Sequence, residues 1–412
     1  MSLIQPLRGL RPAPGRAAEV AAPPYDVLSS DEARVRAAGK PWSFLHISKP
    51  EIDLPPETDP YAAAVYAKAV ENLQTMLNAG LLLRDATPCY YAYRLTMPGA
   101  AGDHVQTGLV AAASVAAYDS NRIRKHEFTR PDKEDDRVRQ IQALNAQTGP
   151  VLLAYPASAS ADALIAAITA TPTVADVVAD GGVRHQIWLL DDATKIAAIT
   201  ACFDAMPALY IADGHHRSAA ASRVAASRRG TGAPASADAF LAVIFPQHQM
   251  KILDYNRVVR DLHGHTADSL LAALSAKFVV EDSATRVHPA TSGEFGMYLA
   301  GRWRKLTIRR EWIPADPVAS LDVSLLSDHV LAPLLGIADL RRDKRIDFVG
   351  GIRGLGELEQ RVDSGEMAVA FALHPTRMDQ LMAVADKNEV MPPKSTWFEP
   401  KLADGLVSHV LD

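Results

Sequence analysis

Residues Tyr210–Ala221 read YIADGHHRSAAA, and the order of those residue types decides the fold. An apolar run, Ala208–Ala212, stops at an acid and a glycine. Two histidines and an arginine follow, then a row of alanines. The apolar run reads as a buried strand and the alanine-rich stretch as a narrow helix that packs closely on a sheet. Asp213 is a good helix N-cap, and Gly214 permits a sharp turn or a close backbone approach. The first-turn amides of such a helix have no intrahelical acceptor, so the corner is suited to an anion. Arg217, one turn in, is placed to add a bidentate contact to phosphate.

The paired histidines suggest a metal until helix geometry is considered. Adjacent helical residues lie about 100° apart around the axis, whereas two ligands on one face need an i, i+3 or i, i+4 spacing. His215 and His216 are therefore poor joint ligands, although one of them can serve together with Asp213. The plain alternative is a capped helix start whose polar first turn is solvated.

Outward from the corner, strand and helix signals alternate. GPVLLAYP, HQIWLLDD and CYYAYRLTM read as strands, and HVQTGLVAAASVAAY as a strand or strand pair. FLAVIFP and MKILDYNRVV read as paired strands. YAAAVYAKAVENLQTMLNAG reads as a helix that stops at Gly80, and DEARVRAA as a short helix capped by Ser29 or Ser30. Further on, GEFGMYLAGRWRKLTIRR reads as a hairpin turning at Gly301. The alternation predicts a mixed α/β (α+β) architecture.

The chain has 412 residues, more than one hydrophobic core usually serves. We expect an N-terminal α/β region (1–115), a phosphate-binding core (116–262) and a C-terminal α/β region completing the site (263–412). The net charge of −5 argues against a broad nucleic-acid-binding surface. Only two cysteines occur, Cys89 and Cys202, which excludes a cysteine-based zinc cluster and fits a reducing compartment. No run is long and apolar enough for a membrane span, and the N-terminal stretch lacks a secretory h-region, so the expected location is the cytoplasm.

DGHHR at a helix start, after an apolar strand, resembles the phosphate-binding motif of the ParB and sulfiredoxin superfamily, which includes a kinase of free serine. The blocks PLRGLRP, APPYDV, KHEFT, YIADGHHRSAAA, DYNRVV, RIDFVGGIRG and MPPKSTWFEPK resemble a bacterial family known as domain of unknown function 1015. The superfamily resemblance implies a ParB/sulfiredoxin-like nucleotide-binding core, flanked by N- and C-terminal α/β subdomains. It also implies that Asp213, Gly214, His215, His216 and Arg217 face nucleotide phosphates. His215 stands where sulfiredoxins have their catalytic cysteine, which argues against sulfinic-acid reduction.

Two further clusters join the site list. IRKHEFTRPDKEDDR supplies His126 and Glu127, the latter a general base toward a substrate hydroxyl. In MPPKSTWFEPK the Pro392–Pro393 pair fixes a loop presenting Lys394, Ser395 and Thr396 to a phosphate or carboxylate. The basic run around Arg341–Arg345 and the pair Tyr25–Asp26 carry weaker signals. The leading function is a phosphotransferase using ATP or ADP with magnesium and a small hydroxyl metabolite such as serine. The alternatives are a nucleotide-binding regulatory module without turnover, and a metal-dependent hydrolase using Asp213, His215, His216 and His126.

Overall fold

The computed structural model describes residues 2–100, 102–232 and 234–412. The chain divides into two compact units. The first runs from the N-terminal residues to Met250 and includes Pro400–Asp412; the second is Lys251–Glu399.

The first unit is built on a nine-stranded mixed sheet. Its longer strands are β1 (Tyr90–Met97), β2 (His104–Ser114), β3 (Val151–Tyr155), β4 (Arg184–Leu190), β5 (Leu209–Asp213) and β6 (Ala239–Pro246). The order is Ile123–Arg124, β5, β3, β6, β2, β1, β4, Ala175–Val178, with Ile4–Gln5 on β2. β5 runs antiparallel to β3, while β3 runs parallel to β6. Every residue of β6 is buried, which explains why it reads as a continuous apolar run rather than an alternating one.

Three helices matter for the site: α1 (Ala63–Asn78), α2 (Pro131–Leu144) and α3 (His215–Arg228). Ala221 and Ala225 of α3 join the core of the sheet, while Ala220 and Val224 cluster with Ile141 of α2 and with Leu411. A helix buried on two sides needs small residues to approach both neighbours, and the alanine row provides them.

Two local expectations change. HVQTGLVAAASVAAY is one strand followed by a short helix, Val115–Asp119, because Ser114 Oγ accepts the Ala117 N–H and starts it. FLAVIFP and MKILDYNRVV do not pair with each other. Pro246 and a 3-10 turn at Gln247–Gln249 end β6, whose partners are β2 and β3. The segment Ser408–Val410 returns to the first unit, pairing between Gly9–Pro12 and Ala146–Gln147 in a small four-stranded sheet.

The second unit holds a six-stranded antiparallel sheet of β7 (Tyr255–Val259), β8 (Phe278–Ser283), β9 (Glu294–Leu299), β10 (Arg302–Ile308), β11 (Ile346–Gly350) and β12 (Val369–Leu373). The order is β8-β10-β9-β12-β7-β11. The β9–β10 hairpin turns at Ala300–Gly301, both with positive φ (51° and 74°), as a two-residue turn between right-twisted strands requires. Among the described residues no helix is long and apolar enough to cross a membrane.

Candidate functional site

The corner forms where the sequence places it, by a different local route. β5 slips register against β3 between Ile211 and Asp213, a bulge that bends the strand before it ends. Gly214, not Asp213, is the N-cap of α3, in the left-handed region at φ 95°. A Cβ at Gly214 would stand 3.3 Å from the Val151 Cα, so the turn requires glycine for both conformation and space. Asp213 remains on the strand. Its Oδ1 accepts the Gly214 N–H at 2.8 Å, and its Oδ2 lies 3.1 Å from Lys401 Nζ. Burial alone would raise the Asp213 carboxyl, but the charges of Lys401 and Arg217 overcome it and hold the group well below the ordinary carboxylate range.

The two histidines act as acceptors for one segment. His215 Nε2 accepts the His126 N–H at 3.4 Å, and His216 Nε2 accepts the Arg130 N–H at 3.0 Å. Side chains that diverge from adjacent positions thus pin both ends of His126–Arg130 to the start of α3. Burial pushes both imidazoles below their ordinary pKa, so they are neutral near pH 7. An anion at this turn would therefore meet backbone N–H groups, not imidazolium charge.

His126 is buried edge-on against His215, with ring centroids 4.5 Å apart. Burial pushes its pKa down to about 4, against the Ile211 carbonyl and the Asp213 charge. His126 Nδ1 is buried without a hydrogen-bond partner. Glu127 stands half-exposed with Oε2 3.6 Å from His215 Nδ1.

Arg217 turns inward. Its Nη1 donates to the Pro150 carbonyl at 2.7 Å, and its Nη2 pairs with Asp26 Oδ2 at 2.7 Å. The Tyr25 ring meets the guanidinium groups of both Arg137 (3.9 Å) and Arg217 (5.4 Å). The pair Tyr25–Asp26 thus reaches the corner, and the terminal nitrogens of Arg217 are engaged within the protein.

Lys394, Ser395 and Thr396 lie in the second unit. Lys394 adopts φ 59° and its carbonyl accepts from Arg257 Nη2 at 2.9 Å. Ser395 Oγ donates to the Pro392 carbonyl at 2.6 Å, and Thr396 is half-buried. Two hydrogen bonds, to the Lys394 and Pro392 carbonyls, hold the loop that follows the proline pair. In the basic run Arg341–Arg345, Arg345 pairs with Asp343 and Arg342 with Asp339.

Two residues of the corner are absent from the sequence-based list, Lys401 and Asp404. Lys401 is the last letter of MPPKSTWFEPK, so its block was visible while its destination was not. Among the described residues one group has metal-ligand spacing: His126, Glu127 and His215 offer ligand atoms that all lie within 4.8 Å of one another.

The sequence profile of the family described as protein of unknown function (DUF1015) matches residues 4–324. No curated protein matches the chain in sequence. Among solved structures, the chain is similar to a free serine kinase in complex with AMP, at 12% identity and TM-score 0.33, over 72% of this chain and 92% of that one. It is also similar to a conserved hypothetical protein from Pyrococcus furiosus (14%, TM-score 0.33, 72% and 95%). A third is SbnI with a C-terminal truncation from Staphylococcus aureus (11%, TM-score 0.37, 72% and 85%).

Proposed function

We propose, from the premise that this chain belongs to the DUF1015 family, that it is a nucleotide-dependent phosphotransferase acting on a small hydroxyl-bearing metabolite, with free L-serine the first acceptor to test. The observation that carries the reading is the start of α3. There a left-handed glycine opens a 14-residue helix whose first-turn amides, those of His215 and His216, have no intrahelical acceptor, and Lys401 pairs with the adjacent Asp213. Backbone donors with a cation alongside suit the phosphates of ATP or ADP. Glu127 supplies a carboxylate to take the acceptor's hydroxyl proton, and the neutral His215 beside it fixes the loop that carries it. Arg217, whose terminal nitrogens serve Asp26 and the Pro150 carbonyl, braces the turn.

Magnesium takes hard oxygen ligands in octahedral geometry. Asp213 is held by Lys401, and Glu127 stands among imidazoles, so these residues do not form a dedicated magnesium cage. No step is assigned to a protein-held metal.

The direct test incubates purified protein with L-serine and either ATP or ADP, and looks for phosphoserine by mass spectrometry alongside nucleotide-dependent thermal stabilisation. Product together with stabilisation is the expected result; the absence of both sinks the reading.

A metal-dependent hydrolase keeps one observation in its favour, the His126, Glu127 and His215 group. Such a donor set suits zinc or manganese better than magnesium. It opposes itself in one respect: His215 Nε2 already receives the His126 N–H. Stoichiometric transition metal in the purified protein would establish this alternative.

A further inference from the structure

Behind Arg217 lies a cavity lined by Tyr25, Ser48, Arg137, Thr148, Arg217 and Asp404, among others, all within the first unit. It measures about 30 Å³, room for a compact polar group and not for a nucleobase. Twelve buried side-chain atoms among the described residues have no hydrogen-bond partner of good geometry, and four of them belong to this lining: Ser48 Oγ, Arg217 Nε and both oxygens of Asp404, although the Tyr25 N–H also acts on the Asp404 carboxyl. Leaving a buried polar group unsatisfied costs stability, so four around one space ask for an occupant.

The charges say what kind. Arg217 is paired with Asp26, and Arg137 with Asp136 at 2.6 Å. Asp404, 1% exposed, is the surplus anion of the cluster. Its backbone is clamped to Ala22 by two hydrogen bonds, so the carboxylate is delivered to the cavity by fixed main chain. A Cβ at position 149 would lie 3.4 Å from Asp404 Oδ1 and 3.5 Å from Arg217 Nε, so Gly149 leaves open the space that both atoms face. Three of the four orphan atoms are acceptors, and the fourth is a cationic N–H donor. An ammonium group carries three donors and no acceptor, and a carboxylate accepts from guanidinium.

We propose that this cavity takes the zwitterionic head of a small α-amino acid, its ammonium on Asp404 and Ser48 and its carboxylate on Arg217 Nε. The assignment of the occupant as phosphate acceptor rests on the function proposed above; the binding itself does not. Burial pushes the empty Asp404 carboxyl up to about 7, against Arg217 and with Asp26, which agrees with a carboxylate still lacking its cation.

The test uses the full chain without nucleotide. L-serine, glycerate (no ammonium) and ethanolamine (no carboxylate) are titrated by calorimetry in sodium and in potassium buffers. L-serine is expected to bind at least about tenfold more tightly than either truncated analogue, the loss expected for a charged hydrogen bond. Asp404→Asn should erase the preference for serine over glycerate, and Ser48→Ala should weaken serine binding several-fold. The circular dichroism of both variants should match that of the unsubstituted protein. Equal affinities for serine and glycerate, or a cavity filled equally well by sodium or potassium, would overturn the proposal. So would serine binding untouched by both substitutions. Serine binding without phosphoserine formation would leave the subsite standing and remove the kinase reading.

Discussion

Arg217 and Asp26 close an ion pair at 2.7 Å across 191 residues of sequence. The pair ties the first helical turn after the corner to the segment at Pro24–Val27, and Tyr25 packs its ring on the same guanidinium. Removing either partner isolates the other, but unequally, because Arg217 also serves the Pro150 carbonyl. Asp26→Ala is expected to cost about 1–2 kcal/mol and Arg217→Ala about 3 kcal/mol in urea unfolding. A double-mutant cycle should return a coupling of about 1 kcal/mol.

Gly214→Ala forces a Cβ into the left-handed region and against Val151. The expected loss is about 1–3 kcal/mol by chemical denaturation, with nucleotide-dependent thermal stabilisation abolished. A substitution that left both unchanged would show that the turn does not depend on glycine.

The histidines are separable by amide exchange. His216→Ala frees the Arg130 N–H, whereas His215→Ala frees the His126 N–H. Residue-resolved hydrogen exchange should show faster exchange at Arg130 in the first variant and at His126 in the second. Both variants should retain slow exchange in β3 and β6.

Glu127→Gln keeps the shape of the side chain and removes the base. Turnover is expected to fall by about a hundredfold or more, with nucleotide affinity within about twofold. Equal losses in turnover and nucleotide affinity would instead place Glu127 in phosphate binding.

Asp404 gives stability a pH dependence of definite sign. Its folded pKa, about 7, lies above the ordinary aspartate value, so between these values the folded state holds a proton that the unfolded state has released. Stability from this group is complete below about pH 4 and is lost as pH rises through 7. The groups around it are Arg217, Asp26, Arg137 and Tyr25. His126, at about 4, acts oppositely, withdrawing stability as pH falls from about 6.5 toward 4. Asp404→Asn should remove the decline that this group imposes between about pH 4 and 7, read from urea midpoints, and leave the opposite contribution of His126 in place.

The strand, the glycine turn and the alanine helix were legible because each follows from a local rule: an apolar run, a missing Cβ and close helix packing. The roles of His215 and His216 were not, since their partners are backbone amides of a segment about ninety residues earlier. Spacing set them aside as joint ligands of one ion but could not supply the segment they hold. Arg217 was read as a bidentate contact to phosphate because it stands one turn into the helix. Asp26 and the Pro150 carbonyl, brought in by the fold, turn it inward. Lys401 and Asp404 were missed for the same reason. Nothing local says that a chain which has left the first unit at Lys251 comes back at Pro400.

That return sets an order of events during synthesis. When Met250 has been made, β5, Gly214 and α3 are all present, yet the cation against Asp213 and the carboxylate behind Arg217 still await translation. The whole second unit, Lys251–Glu399, must be made before Lys401 and Asp404 can arrive. A growing chain therefore carries an unfinished corner until the whole second unit has been made. The returning segment, inserted between Gly9–Pro12 and Ala146–Gln147, completes the corner after the strands and helix that frame it.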